Sequence, residues 1–151
     1  MKKGIMKPKP IRILLVEDNE GDIVLTQEAL EDSKFINTVD VARNGREALD
    51  HLMKNEGYED AILPDLILLD INLPIMSGHE VLSEIKNNEE LKQIPVIMLT
   101  TSSADSDINK AYHNHANCFI SKPVEINEFM EAISGIEQFW FSIVSLPRGK
   151  K

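Results

Sequence analysis

Five short apolar runs, each followed by a stretch of helical length, constrain this sequence more than any other feature. The runs read IRILLV, TVDVA, LILLD, VIMLT and CFISK, and they span 11–16, 38–42, 66–70, 96–100 and 118–122. Runs this short and this apolar are typical of strands buried on both faces. Strands separated by helices run parallel, with helices on each side of the sheet. The sequence therefore predicts an α/β fold with a doubly wound, five-stranded parallel sheet.

The stretches between the runs carry apolar residues at helical spacing and cover 20–33, 44–54, 77–88, 103–115 and 125–140. In the second stretch Asn44 stands where a helix cap is expected, ahead of an apolar face that includes Ala48 and Leu52. Asn44-Gly45 is also a common hairpin turn, although no alternating strand follows it. We favour the helix.

The chain shows neither internal repeats nor a low-complexity linker, which favours one domain. We place that domain at 10–146, with a disordered basic tail at 1–9 and a flexible tail at 147–151. No apolar stretch reaches the roughly 20 residues of a membrane-spanning helix, and the amino-terminal lysines lack the apolar segment of a signal peptide. We expect a cytoplasmic protein with no membrane partner.

Charge and cysteine usage exclude several kinds of protein. Sixteen basic and 25 acidic residues leave a net charge of −9, which opposes binding to nucleic-acid phosphates. The single cysteine, Cys118, can form neither an internal disulfide nor a zinc site with other cysteines. We expect no nucleic-acid partner and no structural metal.

Polar side chains stand at the ends of four predicted strands. Glu17 and Asp18 follow the first strand, Asp70 ends the third, Thr100 the fourth and Lys122 the fifth. Each has an ordinary explanation by itself, such as a helix cap, a loop residue or a solvated lysine. In an open parallel sheet, however, the carboxyl ends of the strands share the edge where ligands bind. We expect these five residues to meet there.

Three carboxylates at one edge repel one another unless a cation neutralises them, and oxygen ligands suit Mg²⁺. The cation and the ammonium of Lys122 would leave room for an anion with several oxygens, to which Thr100 adds a hydrogen-bond donor. A phosphoryl group fits this description, and an aspartate carboxylate can accept one covalently.

At these intervals, the motifs LLVEDN, PDLILLDINLPIMSG, IPVIMLTTSS and FISKP resemble the receiver domain of two-component response regulators. The resemblance implies the (βα)5 flavodoxin-like receiver fold with strand order 2-1-3-4-5. It implies that Asp70 accepts a phosphoryl group from a sensor histidine kinase. Asp18, Asp70 and the backbone carbonyl of Asn72 would coordinate Mg²⁺. Glu17 would act directly or through a bound water.

The resemblance also implies how phosphorylation changes the conformation of the protein. Lys122 would pair with phosphoryl oxygens, and Thr100 would move to hydrogen-bond one of them. Thr100 and the aromatic Phe119 would then change position together and shift a conformational equilibrium. Phe119 can exchange rotamers but has no hydroxyl with which to hydrogen-bond. We expect a signalling protein, with self-catalysed phosphotransfer and autodephosphorylation as its only chemistry.

The carboxyl-terminal stretch carries more apolar surface than one helix over a small sheet requires. Its large apolar residues are Ile133, Ile136, Phe139, Trp140, Ile143 and Val144. Core packing accounts for the first three, and the last three suit either the core or a homodimer contact through this helix. With HANCFISKP before it, this ending resembles the small stand-alone regulators that partner phytochrome-type histidine kinases.

The residues that follow the receiver, 147–151, are too few for a DNA-binding output domain. We therefore expect a stand-alone regulator that acts on a downstream protein target or a phosphotransfer protein. A phosphohydrolase usually has a second acid two residues after the nucleophile, where this chain has Asn72. A flavodoxin-like cofactor binder needs a phosphate-binding loop where VEDNEGD is negatively charged. A receiver-like interaction module that works without phosphorylation stays open.

Overall fold

The structure, a computed structural model, describes residues 11–32, 37–100, 118–122, 124 and 126–134. Its strands are β1 (Ile11–Val16), β2 (Asn37–Ala42), β3 (Leu66–Asp70), β4 (Val96–Thr100) and β5 (Cys118–Ser121). Its helices are α1 (Glu20–Glu31), α2 (Gly45–Met53), α3 (Gly78–Lys86) and α4 (Ile126–Ser134). The predicted helix at 103–115 and the predicted tails at 1–9 and 147–151 lie outside the described residues.

The five strands form one parallel sheet in the order β2-β1-β3-β4-β5. This confirms the predicted doubly wound α/β fold and its strand order. In the register, Val16 pairs with Leu69, Asp70 with Leu99, and Thr100 with Ser121. The carboxyl ends of β1, β3, β4 and β5 are therefore level with one another.

The apolar residues of each central strand alternate between two cores, because successive side chains of a strand point to opposite faces. On β1, Leu14 and Val16 pack on the side of α2 and α3, whereas Ile13 and Leu15 pack on the side of α1 and α4. The sheet is thus covered by helices on both faces, and strands buried on both faces explain the unbroken apolar runs. In the part of the chain that the structure describes, no helix has the length and apolar character needed to cross a membrane.

Side-chain caps fix where three helices begin at the carboxyl edge. Asn19 accepts a hydrogen bond from the first turn of α1, and the Asn44 side chain accepts one from the N–H of Glu47, at 2.9 Å. Asn44 therefore caps α2 as predicted, and the hairpin alternative is wrong. At α3, Ser77 and Glu80 form a reciprocal capping box.

The first turn of α3 lies directly against the end of β3. The N–H of Gly78 donates to the carbonyl of Ile71 at 2.9 Å. A Cβ atom at position 78 would lie 2.2 Å from the carbonyl oxygen of Asp70 and 2.7 Å from the Cα of Ile71. Glycine is required here because the helix approaches the strand too closely for any side chain.

This close approach predicts that Gly78→Ala destabilises the fold. The clash is with backbone atoms, which cannot rotate away, so we expect the free energy of unfolding to fall by roughly 3 kcal/mol, at the upper end of the usual cost of overpacking. Urea unfolding measures the change. Gly21→Ala is the matched control, because its Cβ would meet only the end of the Asn19 side chain, at 3.3 Å. A Gly78→Ala protein as stable as the Gly21→Ala protein would contradict the packing described here.

Candidate functional site

The structure brings three carboxylates together at the carboxyl edge of the sheet. Glu17 and Asp18 follow β1, and Asp70 is the last residue of β3. One oxygen of each lies within 4.8 Å of an oxygen of the other two. Glu17 and Asp70 are buried, whereas Asp18 is exposed. The cluster is therefore anchored in the interior and open to solvent on one side.

The ammonium of Lys122 lies against this cluster. Its Nζ donates to Oε1 of Glu17 at 2.9 Å and to Oδ2 of Asp70 at 3.2 Å. A third bond, at 3.0 Å, goes to Oδ2 of Asp22. The backbone N–H of Lys122 donates to the carbonyl of Thr100 at 2.9 Å. The lysine thus joins the ends of β1, β3 and β4 to the start of α1.

Asp22 is the residue of this cluster that the sequence reasoning missed. It belongs to the first turn of α1, and its N–H donates to Oδ1 of the capping residue Asn19 at 2.9 Å. A first-turn residue of a helix that starts beside a strand end can reach back to that edge. The sequence feature that could have identified Asp22 is the helix cap at Asn19 followed by an acid three residues later.

Each oxygen of the two buried carboxylates accepts a hydrogen bond. Oε2 of Glu17 accepts from the N–H of Asn19 at 3.1 Å, and Oδ1 of Asp70 accepts from the N–H of Asn72 at 3.1 Å. The other oxygen of each faces Lys122. Buried charges need such partners, because an unpaired one would be strongly destabilising. The bonds also fix the orientation of the Asp70 carboxylate.

The remaining predicted residues lie around this centre. Thr100 ends β4 and is buried, and Phe119 pairs with Met98 in the sheet and packs, half-buried, on the side of α2 and α3. Asn72 is exposed, with its N–H bound to Asp70. The switch roles of Thr100 and Phe119 and the ligand role of the Asn72 carbonyl stay predictions.

Burial and charge shift two pKa values at the site. Burial is the main cause that raises the pKa of Glu17 from 4.5 to about 7, and the charge of Asp70 adds to it, against the hydrogen bonds from Lys122 and Asn19. Burial by itself would lower the pKa of Lys122. Its hydrogen bonds to Glu17 and Asp22 and the charges of the neighbouring acids outweigh burial and raise that pKa. Lys122 is therefore charged at neutral pH, while Glu17 titrates near neutrality.

The donor set fits a hard divalent cation. Three carboxylate oxygens within 4.8 Å of one another, one of them on the exposed Asp18, offer the oxygen ligands that Mg²⁺ prefers and leave space for its waters. Lys122 supplies only one positive charge to the buried acids. A bound cation would neutralise the remaining negative charge of the carboxylates.

The raised pKa of Glu17 predicts that stabilisation by Mg²⁺ grows with pH. A raised folded-state pKa favours folding while the group is protonated, so this contribution is complete below about pH 4.5 and is lost as the pH rises to about 7. Binding of a cation requires the ionised carboxylate, so protons compete with Mg²⁺ below this pH. We expect MgCl₂ to raise the unfolding temperature more at pH 8 than at pH 6.

Glu17→Gln is the control for this titration, because its amide carries no charge at either pH. In that variant the effect of MgCl₂ on the unfolding temperature should change far less between pH 6 and pH 8. An equal effect of MgCl₂ on the native protein at both pH values would contradict the prediction.

Comparison with known proteins shows which family this chain resembles. The family model described as "Response regulator receiver domain" matches residues 13–134. Response regulator Rcp1 from Synechocystis sp. is 43% identical over 138 residues, which are 91% of this chain and 94% of that protein. A crystal structure of the Mn(2+)-bound form of Rcp1 matches with a TM-score of 0.75 at 43% identity, covering 91% of this chain and 99% of that one.

Two further solved structures are similar. The bacteriophytochrome response regulator AtBRR matches with a TM-score of 0.80 and 42% identity, over 93% of this chain and 99% of that one. The phosphorylated cyanobacterial phytochrome response regulator RcpA matches with a TM-score of 0.76 and 46% identity, over 91% and 99%. Each of these likenesses covers at least 91% of this chain.

Proposed function

Because this chain belongs to the family of response regulator receiver domains, we propose that it is a stand-alone response regulator that is phosphorylated on Asp70 in a Mg²⁺-dependent reaction. The observation that carries the proposal is the contact of the Lys122 ammonium with Asp70 inside a cluster of carboxylates. Such a site combines a fixed nucleophile with positive charge beside it, which is what phosphoryl transfer needs.

The transfer would use Asp70 as the nucleophile and a phosphohistidine of a sensor kinase as the donor. An oxygen of Asp70 forms a bond to phosphorus while the bond between phosphorus and the histidine nitrogen breaks, and that nitrogen keeps the electron pair. Dephosphorylation attaches a water oxygen to phosphorus, releases inorganic phosphate and restores the carboxylate. Lys122 stabilises negative charge on the phosphoryl oxygens, and Thr100 donates a hydrogen bond to one of them.

Glu17, Asp18, Asp70 and the backbone carbonyl of Asn72 would hold the cation. When bound, Mg²⁺ supplies positive charge beside the phosphoryl oxygens and neutralises the carboxylates that would otherwise repel them. The Mn(2+)-bound form of Rcp1, a relative at 43% identity, supports a divalent cation in this family.

The proposed partners are a sensor histidine kinase of the phytochrome type and a downstream protein target or phosphotransfer protein. The likeness to the bacteriophytochrome response regulator AtBRR and the cyanobacterial phytochrome response regulator RcpA supports the kind of kinase. Thr100 and Phe119 would transmit the phosphorylated state to the face of β4 and β5. The proposed homodimer contact around Trp140 belongs to 135–151, outside the described residues.

Intact mass after incubation with acetyl phosphate tests the proposal. We expect a single phosphoryl adduct with Mg²⁺ present and none with EDTA in its place. An established receiver that is labelled in parallel shows that the reagent is active. If that receiver is labelled and this protein is not, the proposal is overturned and the receiver-like module that works without phosphorylation takes its place.

A further inference from the structure

All three N–H bonds of the Lys122 ammonium are in use. They point to carboxylate oxygens of Glu17, Asp22 and Asp70 at 2.9, 3.0 and 3.2 Å. A lysine ammonium has three donors and no more. A phosphoryl oxygen that arrives at Asp70 can therefore gain a hydrogen bond from Lys122 only if one of these acceptors loses its own.

The three acceptors differ in how easily they can lose the lysine. The side chains of Glu17 and Asp70 are 0% and 2% exposed, whereas that of Asp22 is 28% exposed. A buried carboxylate left without a partner is strongly destabilising, but a carboxylate that water can reach is rehydrated. Asp22 is therefore the one acceptor of the three that Lys122 can leave at low cost without a bound cation to take its place.

The position of Asp22 in α1 lowers that cost further. It lies in the first turn of the helix, where the backbone N–H groups carry a partial positive charge that favours an anion. Its own N–H is bound to the Asn19 cap, so the backbone there is fixed whether or not the side chain holds Lys122. The carboxylate can release the ammonium without disturbing the helix.

We propose that Asp22 is a positioning residue that holds Lys122 in the resting protein and gives it up to a phosphoryl oxygen when Asp70 is phosphorylated. The inference rests on the proposed function, because it concerns the same phosphoryl site. Asp22 competes with the phosphoryl group for one donor of Lys122. Removing its charge weakens its hold on that donor in advance and also removes a negative charge beside the incoming anion.

The test compares binding of beryllofluoride, a phosphoryl mimic, to the native protein and three variants in saturating Mg²⁺. Asp22→Asn removes the charge, Asp22→Glu keeps it, and Glu28→Gln removes a charge from the exposed part of the same helix. By isothermal titration calorimetry we expect Asp22→Asn to bind about tenfold more tightly than Glu28→Gln. Asp22→Glu should restore the native affinity to within about twofold.

A second measurement separates this role from a merely structural one. Urea unfolding of the metal-free proteins should show Asp22→Asn to be less stable than Glu28→Gln, because it has lost an ion pair with Lys122. A residue that only supported the fold would weaken binding of the mimic when it lowered stability. Lower stability combined with tighter binding is expected of a residue that competes with the phosphoryl group, not of one that only supports the fold. Asp22→Ser, which also removes the charge in the first turn, should behave as Asp22→Asn does.

The outcomes are distinguishable. If the native protein binds beryllofluoride and Asp22→Asn binds it no more tightly than Glu28→Gln, the role of Asp22 is overturned while the proposed function stands. If the native protein does not bind beryllofluoride with Mg²⁺ present, the proposed function is overturned and the role of Asp22 is overturned with it.

Discussion

We expect the replacement of Asp70 by asparagine to abolish the phosphoryl adduct that the proposed function requires acetyl phosphate and Mg²⁺ to form. The amide has nearly the same shape but is a very poor nucleophile, so phosphorus finds no acceptor even though Lys122 and Asn72 still surround the side chain. Intact mass spectrometry of the two proteins under identical conditions measures the change. The expected effect is complete loss rather than a reduced rate, because the substitution removes the nucleophile itself.

Asp50→Asn is the matched control, since Asp50 lies in α2 and its carboxylate accepts from the side chain of Asn55 at 2.8 Å. This variant should be labelled as the native protein is. An adduct on Asp70→Asn as large as the adduct on Asp50→Asn would mean that a residue other than Asp70 accepts the phosphoryl group. Glu17 and Asp18, within 4.8 Å, would then be the candidates to locate by peptide mapping.

Replacing Lys122 by alanine will lower the free energy of unfolding of the metal-free protein by about 3 to 5 kcal/mol, the usual range for removing one partner of a buried ion pair. The side chain is 7% exposed and neutralises Glu17 and Asp70, which are nearly inaccessible to water. At pH 8 Glu17 is ionised, since that pH exceeds its pKa of about 7. Urea unfolding at pH 8 without Mg²⁺ gives the largest effect, and added Mg²⁺ should recover part of the loss.

Lys92→Ala provides the comparison for this stability measurement. Lys92 pairs with Glu89 in a bridge whose side chains are 45% and 85% exposed. Exposed pairs contribute roughly 0 to 1 kcal/mol, so the Lys92 variant should stay close to the native protein. Similar losses in the two variants would mean that the carboxylates at the carboxyl edge do not depend on Lys122 as the contacts indicate.

The sequence predicts most of the fold because the strands are both short and buried on two faces. β1, β3 and β4 begin and end where the apolar runs do, and β2 starts one residue earlier than predicted. The start of α2 is predicted equally well, because Asn44 provides a cap. The ends of helices are predicted less well. Both α1 and α3 end two residues before the predicted stretches do. Composition and periodicity alone do not give the order of the strands, which came from the motifs.

The candidate site is predictable to the extent that its residues stand at strand ends. Glu17, Asp18, Asp70 and Lys122 follow from topology, because parallel strands bring their carboxyl ends to one edge. Asp22 and Gly78 do not, since their importance depends on how closely α1 and α3 approach that edge. Such distances of closest approach are set by the packing of the whole domain and leave little trace in a single sequence.

The contacts of Lys122 also determine when during folding the site comes into existence. The lysine is separated from its three carboxylate partners by 105, 100 and 52 residues along the chain. Contacts between residues so far apart form late, because a long loop must close before they give any stabilisation. Since β5 is also an edge strand, a chain emerging from the ribosome gathers its acids before their counter-charge is available. The edge of the sheet therefore carries uncompensated negative charge until β5 has paired with β4, which is the step that completes the site.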